Sequence, residues 1–141
     1  MIGKQGRKIP QDKALDYVVG WTIGNDVRER PGQRGDRTMW RATNSDTFKP
    51  MGPWIVTGLD YRKMTTTVRL NGQETDRFAT ANMIHDVEQY IAEVSRYCTL
   101  FPGDVMWMGT DGSPRNMKVG DVCEVEITGI GTLRNKVVEG D

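Results

Sequence analysis

The chain has 141 residues, enough for one domain with a buried core, and its 19 lysines and arginines balance its 19 aspartates and glutamates. That neutrality removes the broad positive field expected of a protein that binds nucleic acid or an anionic membrane. No apolar run approaches the ~20 residues that cross a bilayer, and the opening Met1-Ile-Gly-Lys-Gln-Gly-Arg-Lys8 lacks an apolar signal core, so a cytoplasmic location is expected.

In chain order, a short opening strand and a polar turn precede a helix predicted from Pro10, where a fixed φ suits a first turn; Ala14, Leu15, Val18 and Val19 fall at helical spacing. Trp21, Ile23 and Val27 alternate as on a half-buried strand with Asp26 near its end. Residues 28–43 turn polar, with arginines at 28, 30, 34, 37 and 41, and are predicted as a long surface loop. The interspersed acids and the single aromatic, Trp40, argue against RNA binding there, and Arg34-Gly35-Asp36 is too short to specify an adhesion motif.

A strand is predicted at 54–57 and another at 65–70, where Asn71-Gly72 is a strong hairpin signal. Ile84, Val87, Ile91, Val94 and Cys98 recur at three- and four-residue spacing, which predicts a helix over 83–97 with that stripe in the core. His85, the only histidine, lies beside the stripe and is expected to be a partly exposed helix residue. Gly-Asp-Val units at 103–105 and 120–122 are each expected to open a strand; in the second, Cys123, Val125 and Ile127 face one way and Glu124 and Glu126 the other. A bend at Gly129-Ile-Gly131 and a last strand over 133–138 close the chain. Cys98 and Cys123 have neither CxxC spacing nor a histidine partner and are expected to be reduced and buried. The prediction is a β-rich α+β fold with two helices.

Chemistry concentrates after the first strand. Asp26 can supply one corner of a divalent-metal site, while Arg30 and Gln33 can bind a substrate carboxylate or carbonyl. On the residues alone, the favoured reading of that aspartate is a strand-end cap of a turn among solvated neighbours.

The ordered blocks Gly20-Trp-Thr-Ile-Gly-Asn-Asp26, Asp46-Thr-Phe-Lys-Pro-Met-Gly-Pro-Trp54, Leu70-Asn-Gly72, Met83-Ile84, Pro102-Gly-Asp-Val105, Gly109-Thr110 and Gly129-Ile-Gly-Thr-Leu-Arg-Asn135 resemble the fumarylacetoacetate hydrolase family over nearly the whole chain. The resemblance implies a mixed β-sandwich or roll, a Mg²⁺ or Mn²⁺ ion, and hydrolase, isomerase or lyase chemistry on 2-oxo or 1,3-diketo acids. Such an ion polarises a chelating 2-oxo carboxylate as a Lewis acid. Carried over by position, Asp26 matches the family's metal-binding aspartate, Arg30 and Gln33 its substrate-loop arginine and glutamine, and Thr110 the threonine that holds a substrate carboxylate. The family also makes a homodimer the default expectation.

Three departures stand out. The family's Glu-x-Glu ligand pair precedes a Val-Ile-Gly-Lys turn, whereas this chain begins at Met1-Ile2-Gly3-Lys4. Residues 1–141 are therefore expected to be a single, partial catalytic domain without its N-terminal strands, and no general base is assigned. Thr43 stands where many members carry a lysine, and Asp111-Gly112 replaces a common proline after Gly109-Thr110, which is expected to make a tight turn there. The rival expectation is a non-catalytic folded remnant or oligomeric binding module lacking the full metal site.

Overall fold

The computed structural model describes residues 1–111 and 115–140. The strands are β1 (Trp21–Gly24), β2 (Met51–Val56), β3 (Thr65–Leu70), β4 (Gln73–Ala79), β5 (Val122–Ile127) and β6 (Gly131–Lys136). The α-helices are α1 (Arg30–Gln33), α2 (Trp40–Asn44) and α3 (Val87–Tyr97), with 3₁₀ turns at Gln11–Tyr17 and Tyr61–Lys63. The strands form two sheets, β1-β2 and β4-β3-β5-β6, and every pair of named strands is antiparallel. The smaller sheet packs across the larger, β1 against β5 and β6, and β2 along β6.

The hairpin forms as predicted. Asn71 at φ 53° and Gly72 at φ 79° supply the left-handed pair that a two-residue connection requires. Asp121 ties it to the next strand: its carboxylate accepts from the Asn71 amide at 2.9 Å, and Asn71 in turn accepts from the Val122 backbone at 2.9 Å. The Asn71 amide and the Lys118 backbone N–H hold the Asp121 carboxyl below the usual carboxylate range. In β5, Cys123 and Val125 are buried, and the alternate Glu124 and Glu126 pair with Arg134 at 3.2 Å and Arg69 at 2.6 Å, as the period-2 pattern requires.

Several elements differ from expectation, each for a local reason. The residues after Pro10 form a 3₁₀ turn rather than an α-helix, because Val18 and Val19 are drawn into extended pairing with the first residues: Val19 N–H donates to the Met1 carbonyl at 3.0 Å and Gly3 N–H to Tyr17 at 2.7 Å. The strand expected at 54–57 starts at Met51 and takes in Pro53, tolerated because β2 is hydrogen-bonded on one side only. The last strand is Gly131–Lys136, shifted two residues toward the amino terminus.

Residues 103–105 open no strand. Asp104 instead accepts from the Phe101 backbone at 2.7 Å, closing a turn that Ile2 pairs with on both sides. Helix α3 begins at Val87 rather than Met83, because Asp86 accepts from Gln89 N–H at 2.7 Å while the Gln89 side chain returns to the Asp86 N–H, a capping box that ends the helix upstream. Ile84 is therefore left outside the helix and 94% exposed, His85 is exposed, and Cys98, one residue past the helix, is exposed rather than buried. The arginine-rich segment is not one loop but carries α1 and α2. The tight turn expected at Asp111-Gly112 falls partly on Gly112, outside the described residues.

Tyr61 anchors the far side of the small sheet. Only 3% exposed, it donates from its hydroxyl to Glu88 Oε2 at 2.7 Å, and Glu88 also pairs with Arg62. Burial and the Glu88 carboxylate push the phenol up to about 12. A phenol whose folded value lies above its unfolded one near 10 adds stability that is fully present below pH ~10 and is lost as pH rises through about 12. Tyr61→Phe strips Glu88 of a donor and is expected to cost about 2 kcal/mol at neutral pH. Denaturant melts at pH 7 and pH 11 check both statements: the gap between wild type and Tyr61→Phe should narrow at the higher pH.

Candidate functional site

The end of β1 positions the site. The β1-β2 register, Ile23 opposite Gly52 and Gly24 opposite Met51, runs on past the strands, since Asn25 N–H donates to the Pro50 carbonyl and Val27 N–H to the Phe48 carbonyl, both at 3.1 Å. Asp26 and Lys49 are thereby set opposite each other on neighbouring segments, and directly opposed side chains of an antiparallel pair share a face. The Lys49 ammonium indeed sits on Asp26 Oδ1, while Arg28 approaches Oδ2 more loosely at 3.9 Å. The Asp26 side chain remains 45% exposed.

A tryptophan completes this corner. A Cβ on Gly24 would overlap the Trp107 ring, so only glycine at the end of β1 lets that ring lie against the strand. Lys49 Nζ stands 5.5 Å from the ring centroid, within cation–π range. Partial burial lowers the Lys49 ammonium's pKa from its ordinary value even with Asp26 beside it. On the other side Asn25 donates to the buried Cys123 sulfur at 3.5 Å, and burial raises that thiol's pKa.

A cleft of about 420 Å³ opens beside Lys49, lined by residues 44–50 and Asn135. Two features mark it. Thr47, a β-branched residue, is held at φ 69°, a conformation such residues rarely adopt. Asn135 Oδ1 is buried with no hydrogen-bond partner among the described residues, an acceptor whose isolation needs a cause.

The residues predicted from sequence are distributed as follows. Arg30 and Gln33 are the first and last residues of α1, with Arg30 exposed and the Gln33 amide 4.0 Å from Met39 Sδ. Thr110, exposed, lies three residues beyond Trp107 and donates its hydroxyl to the Asp111 carbonyl at 2.9 Å. Among the described residues no hydrogen bond or ion pair joins Arg30, Gln33 or Thr110 to Asp26. Asp36 organises the segment between the two short helices: it accepts from Ala42 N–H at 3.1 Å and from the Thr38 hydroxyl at 2.9 Å. The Ala42 bond foremost holds its carboxyl below the usual range, so the Arg34-Gly35-Asp36 carboxylate is committed to capping. Thr43 turns back on its own helix, donating to the Met39 carbonyl at 2.7 Å.

Mg²⁺ and Mn²⁺ need several oxygen ligands. Asp26 offers one carboxylate already engaged by two cations, and among the described residues no group of three or more His, Cys, Asp or Glu side chains is placed to hold a metal. The donors present thus do not close a divalent-metal shell by themselves. Lys49 and Asn135 were not singled out by sequence reasoning. For Lys49 the signal was available: an antiparallel pairing of 21–24 with 51–56 puts residue 49 opposite residue 26.

Comparison with known proteins places the fold. The fold superposes on 5-carboxymethyl-2-hydroxymuconate delta-isomerase from Mycobacterium smegmatis with a TM-score of 0.95 and 40% identity, over 99% of this chain and 56% of that one. The fold therefore has the sheet-rich architecture of that protein. Residues 1–138 match the family described as fumarylacetoacetate (FAA) hydrolase C-terminal, and the chain belongs to the fumarylacetoacetate hydrolase family. Among curated relatives, a protein of Methanocaldococcus jannaschii is 43% identical over 97% of this chain and 58% of its own length. The 2,4-didehydro-3-deoxy-L-rhamnonate hydrolase of a Sphingomonas species is 38% identical over 99% of this chain and 53% of its own length. The chain spans about half the length of the relatives it matches. No described helix is long and apolar enough to cross a membrane.

Proposed function

We propose that this chain belongs to a hydrolase, isomerase or lyase acting on small 2-oxo or 1,3-diketo acids, in which Asp26 is one ligand of a Mg²⁺ or Mn²⁺ ion and Arg30, Gln33 and Thr110 bind the substrate. The observation that carries this reading is the exposed Asp26 carboxylate, framed by cationic side chains at the end of β1 in a chain that matches the family over residues 1–138. The two named enzymes above, an isomerase of a muconate and a hydrolase of a rhamnonate, both act on organic acid anions, which supports an anionic substrate here.

Each residue's part follows from its chemistry. The Arg30 guanidinium presents a planar fork that fits a carboxylate in a bidentate way, and its place at the start of α1 leaves it open to solvent and ligand. The Gln33 amide, now against a weak sulfur acceptor, is free to trade that contact for a carbonyl oxygen. The Thr110 hydroxyl adds a donor from the segment that Trp107 holds against β1.

Calorimetric titration with oxalate in the presence of Mn²⁺ tests the substrate half of this reading. Arg30→Met should weaken oxalate binding by at least about tenfold, the scale of a lost charge-assisted hydrogen bond, while leaving the melting temperature within a degree or two. Unchanged oxalate affinity would remove Arg30 from the site. An absence of oxalate binding by wild type would favour the rival reading, a binding module that does not itself handle the acid.

A further inference from the structure

We infer that Arg34 is a specificity-determining residue of the proposed acid site: with Arg30 it forms a cationic pair on one face of α1 that selects organic acids carrying two carboxylates over those carrying one. The inference rests on the reading of Arg30 as a substrate contact given above, and on no metal ion. Helix α1 spans Arg30–Gln33, and Arg34 follows it still in helical conformation, at φ −64° and ψ −29°. Arg30 and Arg34 are therefore neighbours one turn apart on the same face, with Cβ atoms about 6 Å from each other. Both residues are exposed.

Two like charges at that spacing oppose the helix unless an acid or a ligand neutralises them. The acids close in sequence are engaged elsewhere. Glu29 lies against Gly32, where a Cβ would overlap Oε2, and its ion-pair partner is Arg41 at 3.8 Å. The Asp36 carboxylate accepts from Ala42 N–H at 3.1 Å and from the Thr38 hydroxyl at 2.9 Å, and Asp26 faces Lys49 and Arg28. Among the described residues no ion pair reaches Arg30 or Arg34. The turn that carries them is tied at its base, since Glu29 N–H donates to the Ala42 carbonyl at 2.9 Å and Gln33 N–H to the Glu29 carbonyl at 3.2 Å. Two guanidinium forks thus issue from one fixed turn, each able to take a carboxylate. A dianion relieves the repulsion at both, whereas a monoanion of the same size leaves one of them unmatched.

Titration of the whole chain, without added metal, with 2-oxoglutarate and with 2-oxopentanoate tests this, because the two acids have the same carbon count and differ in the distal carboxylate. Binding is followed by the backbone amide NMR shifts of residues 29–36, which also locate it. Wild type should bind 2-oxoglutarate at least about fivefold more tightly, the scale of one exposed charge-assisted contact. Arg34→Met should bring the two acids to equal affinity while leaving that for 2-oxopentanoate unchanged, and Arg34→Lys should restore most of the preference. No preference in wild type, or one that survives Arg34→Met, would overturn the role of Arg34; weaker binding of both acids by Arg30→Met would then leave the reading of Arg30 intact. Inorganic phosphate binding as tightly as 2-oxoglutarate, with the same dependence on Arg34, would overturn the dicarboxylate in favour of a phosphate group. Binding of neither acid would overturn the inference and the reading of Arg30 together.

Discussion

Ile91→Ala is expected to lower the stability of the chain by roughly 3 kcal/mol, the scale of truncating a fully buried branched side chain and leaving a cavity. Ile91 is 1% exposed, and the face of α3 that carries it packs on the Gln11–Tyr17 turn and the buried residues beneath. That face also holds the amino-terminal segment. Ser95, fully buried one turn on, accepts from Ile9 N–H at 2.9 Å through its hydroxyl and from Lys8 N–H at 2.8 Å through its carbonyl. Loosening α3 therefore loosens the segment whose first residues pair with Val18 and Val19, just upstream of β1. Thermal unfolding should shift down by on the order of 10 °C, and hydrogen exchange should accelerate in residues 6–9 together with α3. A shift of only a degree or two would mean that the helix is not a principal support of the core.

The helix illustrates what was legible in the sequence and what was not. Its stripe at three- and four-residue spacing identifies Val87 and Ile91 as core positions, because that periodicity reports a buried face directly. Its start was misplaced because apolar spacing says nothing about where the backbone leaves the helix. That was decided by the Asp86 and Gln89 side chains, a pairing whose residues are visible in the sequence but whose use depends on local geometry. The hairpin at Asn71-Gly72 was legible because its chemistry is wholly local, two adjacent residues that accept positive φ. The Gly103-Asp-Val105 unit looks the same as the one at 120–122, yet only the second leads into a strand; the first is claimed by Ile2, some hundred residues away, a partnership no local pattern encodes.

The candidate site divides along the same line. Asp26, Arg30, Gln33 and Thr110 were singled out from residue type and family resemblance, and the structure spreads them over the end of β1, helix α1 and the segment after Trp107. Lys49 and Asn135 join the picture only through tertiary structure. The first comes from the register of two strands some thirty residues apart, the second from the packing of β6 beside the cleft. Gly24 reads in the sequence as one more small residue in a strand, and only the overlap that a Cβ would make with Trp107 explains it.

The second large effect concerns Asp26. A ligand bound to the folded chain alone at about 100 times its dissociation constant adds ~2.7 kcal/mol to stability, a shift of several degrees in the unfolding midpoint. Asp26→Asn keeps the shape of the side chain but removes its charge, and at a residue 45% exposed the substitution itself should alter stability little. It also releases Lys49 and Arg28, so any small change on ligand-free unfolding reports those surface pairs, whereas the ligand-induced increment reports the site.

Thermal unfolding of wild type and Asp26→Asn, each with and without millimolar Mn²⁺ and oxalate, is the most direct test of Asp26 as the metal-binding corner of a 2-oxo acid site. The expected result is a rise of several degrees for wild type that Asp26→Asn abolishes. Equal rises in both proteins, or none in wild type, would contradict it.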